Sequence, residues 1–463
     1  MWEQISITGM ADRGKAVGRD AEGRVVFVEG AVPGDIVDAL VLRKKKGAWQ
    51  GVVEHFQRLS PDRVTPACSH FQDCGGCKWQ HLSYEGQLKH KQQIVQDVMR
   101  RIAKLDPIEI GKIIGTDQIF HYRNKMEYSF SNQRWKTKEQ IAEGSIIPDD
   151  GALGLHPPGF FNKVVDIKEC WLQDPKADLI RNFIRSYADE HQLSYFDPIS
   201  HRGFLRNMII RNSHYGQWML VMSLAEARMT VIEKMMQAIQ AKFPWINSLH
   251  YVINEKKNDT LFDQQIIRFS GQDHIIEQLG NLKFKIRPKS FFQTNTKQAE
   301  KLYQITKEFC DLNEDEVLYD LYTGTGSIAL YLADRCKEVI GIEEVPDAIR
   351  DAQENATLND IRNANFYVGD VKNILKEEVL HRHRVPDVIV TDPPRIGMHE
   401  QVIDQIIKML PNRLVYVSCN PATQARDLAL LAAKYELIRM QPVDMFPHTN
   451  HIENIALLSK RNI

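Results

Sequence analysis

Three short segments carry the residue types from which covalent catalysis could be built. Cys419 lies in the polar turn Ser418-Cys419-Asn420-Pro421, which follows the apolar run Leu414-Val415-Tyr416-Val417. Asp392-Pro393-Pro394-Arg395 follows another such run, Val388-Ile389-Val390, and Glu453 stands in His448-Thr449-Asn450-His451-Ile452-Glu453-Asn454 at the head of the last one. A thiol can attack an electron-poor carbon, and a carboxylate can take a proton from the product of that attack. Each residue also has a plainer reading. A lone cysteine after a strand is usually a small buried hydrophobe, and Glu453 alone reads as an exposed strand-end residue between solvated neighbours. Occurrence together is what favours chemistry.

A fourth segment, Asp320-Leu321-Tyr322-Thr323-Gly324-Thr325-Gly326-Ser327-Ile328-Ala329, fits G-x-G-x-x-A. It follows the apolar run Val317-Leu318-Tyr319 and opens a helical pattern, the setting in which glycines let a ligand approach the backbone. Glu343 ends the next strand-like run, where a carboxylate would accept ribose hydroxyls. The pattern indicates a nucleoside cofactor and does not choose between a dinucleotide and S-adenosylmethionine.

A fifth group is Cys68-x5-Cys74-x2-Cys77. With seven cysteines and no secretory leader, metal or catalytic use is favoured over a disulfide framework. Tetrahedral zinc and an iron–sulfur cluster both need a fourth ligand. The candidates are His70, His81 and the distant Cys170, and spacing alone puts zinc ahead. Cys310 and Cys336 read as core residues.

The elements that must position these groups follow from the apolar patterning. In the last third, strand-like runs at 317–320, 339–343, 366–368, 388–390 and 414–417 alternate with helical stretches, the mark of a parallel sheet covered on both faces. Ligands of such sheets bind beyond the carboxyl ends of the strands, so Asp392 and Cys419 should face one cleft. Two more runs, near Leu437 and at 455–458, close the chain as a hairpin that could return Glu453 to that cleft. At the other end, short runs such as Val25–Val28 and Val52–Glu54 between turn signals (Pro33-Gly34, Lys46-Gly47) suggest a small barrel of the oligonucleotide-binding kind. Arg43, Lys44, Lys45 and Lys46 beside Trp49 mix phosphate-pairing charge with a stacking ring, or form a solvated hairpin tip. Helical spacing of Leu88, Ile94, Val98 and Ile102 predicts a helix over 84–105 that packs on the catalytic domain.

The 463 residues suggest about three domains. We read a β-barrel at 1–63, a central α+β domain at 64–285 and a C-terminal Rossmann-like α/β domain at 286–463. A net charge of -1 means that any nucleic-acid contact must rest on local patches. No leader and no apolar run near the ~18 residues of a membrane span is seen, which predicts a cytoplasmic protein without membrane attachment.

These motifs, with Pro288-Lys289-Ser290-Phe291-Phe292-Gln293, occur in an order that resembles the RNA uracil-C5 methyltransferase family. The opening barrel and Ser60-Pro61-Asp62-Arg63-Val64 resemble its TRAM RNA-binding domain. The chemistry explains the residue types. C5 of uracil is a poor nucleophile until a thiolate adds to C6, and a base must then remove the C5 proton. The resemblance implies that Cys419 is the nucleophile and Glu453 the proton acceptor. Gln293, Tyr322, Ser327, Glu343, Asp370 and Asp392 would line the S-adenosylmethionine site. Thr323 stands where the family often has Cys, and Ser327 where it often has Thr or Asn. The resemblance also reverses the order of the metal readings. One branch holds a [4Fe–4S] cluster on three clustered cysteines and a distant fourth, here Cys68, Cys74, Cys77 and Cys170, with zinc as runner-up. The Cys77–Cys170 gap is longer than that branch's, and a surface loop near Arg134–Asp150 would account for it. Barrel and cluster together imply a bacterial enzyme acting on 23S rRNA. The alternatives are a tRNA uracil as substrate, methylation of an exocyclic amine, a nicotinamide dehydrogenase, or an iron–sulfur RNA-binding protein without catalysis.

Overall fold

The computed structural model describes residues 1–11, 14–45, 47–105, 109–144, 151–373 and 382–461. The chain forms two compact units. One contains Met1–Thr65, Lys78–Ile119 and Lys297–Ile463, and the other Pro66–Cys77 and Phe120–Thr296.

The first unit opens with strands β1 (Trp2–Met10), β2 (Ala16–Arg19), β3 (Val25–Glu29), β4 (Ile36–Lys45) and β5 (Ala48–Arg58), closed in the order β1-β2-β3-β5-β4. Alternating residues point inward, so Ile5 and Ile7, Val26 and Val28, and Val37 and Ala39 fill the barrel. Trp79 completes that core. Helix α1 (Tyr84–Val98) starts at Ser83, whose hydroxyl accepts the Gly86 amide. The apolar spacing extends this helix to residue 105, but the α-helix stops earlier. It continues as a π-helical turn, Met99–Ala103, that Lys104 ends in a left-handed conformation. The wider turn buries Met99 and Ala103 in the catalytic core and leaves Ile102 42% exposed.

The remainder of this unit is α2 (Thr296–Cys310), β6 (Val317–Leu321), α3 (Ser327–Leu332), β7 (Glu338–Glu343), α4 (Pro346–Leu358), β8 (Ala364–Val368), β9 (Val388–Thr391), α5 (Glu400–Met409), β10 (Arg413–Ser418), α6 (Pro421–Leu431), β11 (Tyr435–Val443) and β12 (Glu453–Lys460). The sheet order is β8-β7-β6-β9-β10-β12-β11. Every residue of β6 and β9 is buried, as a strand covered on both faces requires. The order reverses between β6 and β9, which makes their carboxyl ends the binding crevice. Only β12 runs antiparallel to its neighbours, pairing Ser418 with Asn454 on one side and Val443 with Glu453 on the other.

In the second unit a seven-stranded sheet is covered by helices Pro175–Glu190 and Met229–Lys242, whose Ile180, Ile184, Met235 and Ile239 are buried. A hairpin, Ile275–Leu279 with Leu282–Ile286, follows it. Of the loop expected near Arg134–Asp150, Arg134 bridges to Val164 and a short capped helix spans Lys138–Ala142. Residues 145–150 lie outside the described residues, as does Lys46 of the basic barrel patch. Lys44 of that patch sits 5.4 Å over the Trp49 ring, and Trp49 meets Trp2 edge-on at 5.4 Å. Among the described residues no helix is long and apolar enough to cross a membrane.

Candidate active site

The β6–α3 turn is built for a ligand at its backbone. Tyr322 and Gly326 have positive φ, 65° and 79°, and a Cβ on Gly326 would stand 3.0 Å from the Ala352 Cβ and 3.2 Å from the Phe366 ring. Asp320 braces the turn from beneath, with Oδ2 accepting the Thr323 hydroxyl at 2.6 Å and the Ala329 amide at 3.1 Å. Glu343, at the end of β7, accepts the Gly324 amide at 3.2 Å and the Val345 amide at 3.1 Å. Asp370 follows β8 and pairs with Lys372 at 2.8 Å. The Ser327 hydroxyl meets the Tyr303 hydroxyl at 2.8 Å. Tyr303, on α2, is a neighbour of the candidate site that the motifs did not reveal, because one buried tyrosine in an amphipathic helix looks like any other core residue.

Cys419 and Glu453 lie one step beyond the Ser418–Asn454 pair of β10 and β12, at the ends of adjacent antiparallel strands. Cys419 is half-buried just ahead of α6, where Asn420 caps the helix through the Ala422 amide and Pro421 opens it. A helix start favours a thiolate, but the surroundings act the other way. Burial, then the carboxylates of Glu453 and Asp392, push the thiol up to about 12, against the pull of Arg395. Glu453 is only 4% exposed, which excludes the solvated strand-end reading. Burial and Asp392 hold its carboxyl well above the usual range. Asp392 is raised to about 7 by burial and Asp320, and Asp320 to about 7 chiefly by burial. Arg395 is the cation of the group. Its Nη2 lies 3.0 and 3.2 Å from the ring nitrogens of His451, and its carbonyl accepts from Asn420 and Thr423.

A groove of 1280 Å³ runs from Cys419, Arg395, Asn420 and His451 past Lys89, His90 and Gln93 of α1 and Arg101 of the π-helical turn to Arg19, Thr8 and Phe27 on the barrel. Four of its charged residues, Arg19, Lys89, Arg101 and Arg395, are basic, and two, Asp62 and Asp97, are acidic. Local charge of this sign suits a polyanion despite the neutral chain.

Known proteins bear on these features directly. A sequence profile described as tRNA (Uracil-5-)-methyltransferase matches residues 233–461, and a TRAM domain profile matches residues 3–52. An RNA methyltransferase of Bacteroides thetaiotaomicron is 48% identical over 98% of this chain and 100% of its own. One from Porphyromonas gingivalis is 47% identical over 98% and 99%. The chain belongs to the tRNA (uracil-5-)-methyltransferase family. The crystal structure of Pyrococcus abyssi tRNA (uracil-54, C5)-methyltransferase in complex with S-adenosyl-L-homocysteine matches 98% of this chain and 100% of its own, with a TM-score of 0.75 and 26% identity. This family member is therefore an RNA uracil-C5 methyltransferase with an N-terminal TRAM barrel, and S-adenosylmethionine is its methyl donor. The turn fits that donor. The space beside Gly324 is open, Gly326 lets the turn pack closely on Ala352 and Phe366, and the raised acids Asp320, Asp392 and Glu453 suit a cationic sulfonium.

Of the remaining residues singled out in the sequence, Gln293, His70 and the four candidate ligand cysteines lie in the methyltransferase's second unit. The Gln293 carbonyl accepts from the Asn124 side chain at 3.1 Å. Cys68, Cys74, Cys77 and Cys170 are all half-buried, and burial, then Cys170, raise the Cys68 thiol. His70 Nε2 accepts the Lys168 amide at 3.2 Å. His81 belongs to the first unit, where its Nε2 lies 3.4 Å from the Ala31 carbonyl. Both candidate histidines thus have a ring nitrogen engaged by backbone. Among the described residues, no three His, Cys, Asp or Glu side chains converge on a single ion. The Cys170 amide donates to Asp178, which pairs with the buried Arg181 at 2.7 Å, and Arg181 keeps one buried nitrogen, Nη1, without a partner. Cys310 and Cys336 are buried in the first unit.

Proposed function

We propose that this cytoplasmic enzyme methylates C5 of a uracil in 23S rRNA through a covalent bond between Cys419 and C6, with Glu453 as the proton acceptor. The observation that carries this reading is the adjacency of a half-buried thiol and a buried carboxyl at the ends of paired strands, where the basic groove ends. S-adenosylmethionine supplies an electrophilic methyl group. Cys419 Sγ bonds to C6, and the C5–C6 π pair moves into an enolate across C5 and O4. C5 then takes the methyl group as the sulfur–methyl bond breaks and its electron pair stays on sulfur, leaving a neutral thioether. Glu453 removes the C5 proton, the electrons return to C5–C6, and Cys419 leaves as thiolate. Desolvation suits Glu453 to this step, because a carboxylate of raised pKa is the stronger base. Arg395 offsets negative charge beside both groups. Gln293, Tyr322, Ser327, Glu343, Asp370 and Asp392 are assigned to the donor site.

We assign Cys68, Cys74, Cys77 and Cys170 to a [4Fe–4S] cluster. The assignment rests on the three clustered cysteines and the distant fourth, all half-buried, and zinc is the runner-up. The cluster is structural, since methyl transfer needs no electron. Support for rRNA is the pairing of a TRAM barrel with this cysteine set. A tRNA uracil is the second reading, favoured by the likeness to the Pyrococcus abyssi tRNA (uracil-54, C5)-methyltransferase.

The test is to incubate anaerobically purified enzyme with methyl-labelled S-adenosylmethionine and total RNA from cells lacking it. Labelled 5-methyluracil in 23S rRNA, abolished by Cys419→Ala, is the expected result. Label in tRNA overturns the substrate, and label that survives Cys419→Ala overturns the covalent route. Iron and sulfide at four each per chain are expected, and zinc in their place overturns the cluster.

A further inference from the structure

The loop between β11 and β12 carries Glu453 at its end, and it is tied to helix α1 by groups that the reaction does not use. Val443 pairs with Glu453, so the loop closes on the proton acceptor itself. Asp444, the next residue, forms an ion pair with Lys91 at 2.7 Å, and both side chains are fully buried. The Lys91 ammonium also donates to the Phe446 carbonyl at 3.2 Å. One helical turn away on the same face of α1, Gln87 accepts the His448 amide at 2.7 Å and lies 3.1 Å from the His448 Nδ1. The His448 carbonyl in turn accepts from the Lys78 and Trp79 amides. A charge with no access to water needs a fixed counter-charge, so the Asp444 end of the loop has one available position.

We propose that Lys91 and Gln87 of helix α1 are positioning residues for the proton acceptor, holding the Asp444–His448 loop so that Glu453 stays beside Cys419. The inference rests on the covalent route above, and it makes a distinct kinetic claim. Formation of the Cys419–C6 bond and methyl transfer precede proton removal. A displaced Glu453 therefore leaves methylated RNA attached to the protein, while a general loss of structure removes methylation and attachment together.

The test uses the full-length holoenzyme with methyl-labelled S-adenosylmethionine and total RNA from cells lacking the enzyme. Label that migrates with the protein under denaturing conditions, and that stays with it after ribonuclease has trimmed the bound RNA, measures the attached species. For Lys91→Met, kcat should fall about 10- to 100-fold, the effect of a misplacement of about 1 Å. KM for S-adenosylmethionine should change little, and the attached species should accumulate. The double variant Lys91→Met/Asp444→Leu, which buries no charge, should trap it as well and serves if the single variant does not fold. Gln87→Leu should trap it to a smaller extent. Glu453→Gln is the reference. If Glu453→Gln traps nothing, the covalent route itself fails. If Glu453→Gln traps the species but the Lys91 variants turn over normally, or lose methylation and attachment in parallel, the positioning role is overturned.

Discussion

In the ligand-free protein Cys419 should behave as a suppressed thiol, and alkylation can measure by how much. Its surroundings push it to about 12 from an ordinary 9.0, first by burial and then by Glu453 and Asp392. At pH 7 the three-unit difference leaves ~1000-fold less thiolate than a solvated thiol has. A more basic thiolate is a better nucleophile, and a Brønsted slope of about 0.4–0.5 over three units returns ~16- to 32-fold. The net expectation is alkylation by iodoacetamide roughly 30- to 60-fold slower than for a solvated thiol. Peptide-level mass spectrometry can follow Cys419 apart from the other cysteines. Steric shielding would also slow the reaction, so the pH profile is the decisive part. Suppression by pKa gives a rate that rises about tenfold per pH unit without a plateau near pH 9, whereas shielding alone keeps that plateau. Arg395→Gln should slow the reaction further, because Arg395 draws the thiol down. Alkylation at pH 7 as fast as a free thiol, or a plateau near pH 9, would refute the reasoning.

Asp392 and Asp320, both raised to about 7, should ionise when a cation arrives, so binding of S-adenosylmethionine should release protons and tighten as pH rises towards 7. S-adenosylhomocysteine lacks the sulfonium and should show a shallower slope by calorimetry; equal slopes would remove the sulfonium from the argument. By the same linkage the ligand-free protein should lose, as pH climbs from 3.8 through about 7, the stability that these two protonated carboxyls contribute; Asp320→Asn/Asp392→Asn should flatten that part of the melting profile. Gly326→Ala should weaken donor binding and lower Tm, since its φ of 79° costs an alanine about 1–2 kcal/mol and its Cβ meets Ala352 and Phe366. Lys91→Met should lower the unfolding free energy by about 3–5 kcal/mol in denaturant titration, and Lys91→Met/Asp444→Leu by clearly less; equal losses would mean that the pair acts through packing.

The catalytic sheet was legible in the sequence because strands buried on both faces read as near-continuous apolar runs, and β6, β7, β9 and β10 fall where those runs lie. Helix α1 was legible only as far as periodicity holds. A π-helical turn changes the register by packing, so Ile102 faces outward although its spacing placed it within. Cys419, Asp392 and Glu453 stood out through local motifs, yet the burial of Glu453 had no local signal. The Lys91–Asp444 pair joins residues 353 apart, and Arg395 meets His451 across 56. In a one-dimensional reading a lysine in an amphipathic helix belongs to the solvated face. Only the fold shows that this one is enclosed.

The electrostatics of the cleft bear on the order of events. Asp320, Asp392 and Glu453 crowd one desolvated space with Arg395 as the cation acting on the thiol, and in the ligand-free protein burial favours the protonated form of each carboxyl. A carboxylic acid cannot accept the C5 proton, and a thiol near pKa 12 is a poor nucleophile at neutral pH. The site is therefore at rest until positive charge enters. A sulfonium beside these groups favours their charged forms, so donor binding should precede attack at C6 and should itself convert Glu453 into a base. A thiol that ionises only with the donor in place is also protected from adventitious oxidants, since thiolate character governs oxidation. On the proposed covalent route, the acidic environment of Cys419, which looks ill-suited to a nucleophile in isolation, would couple its activation to the presence of the methyl group.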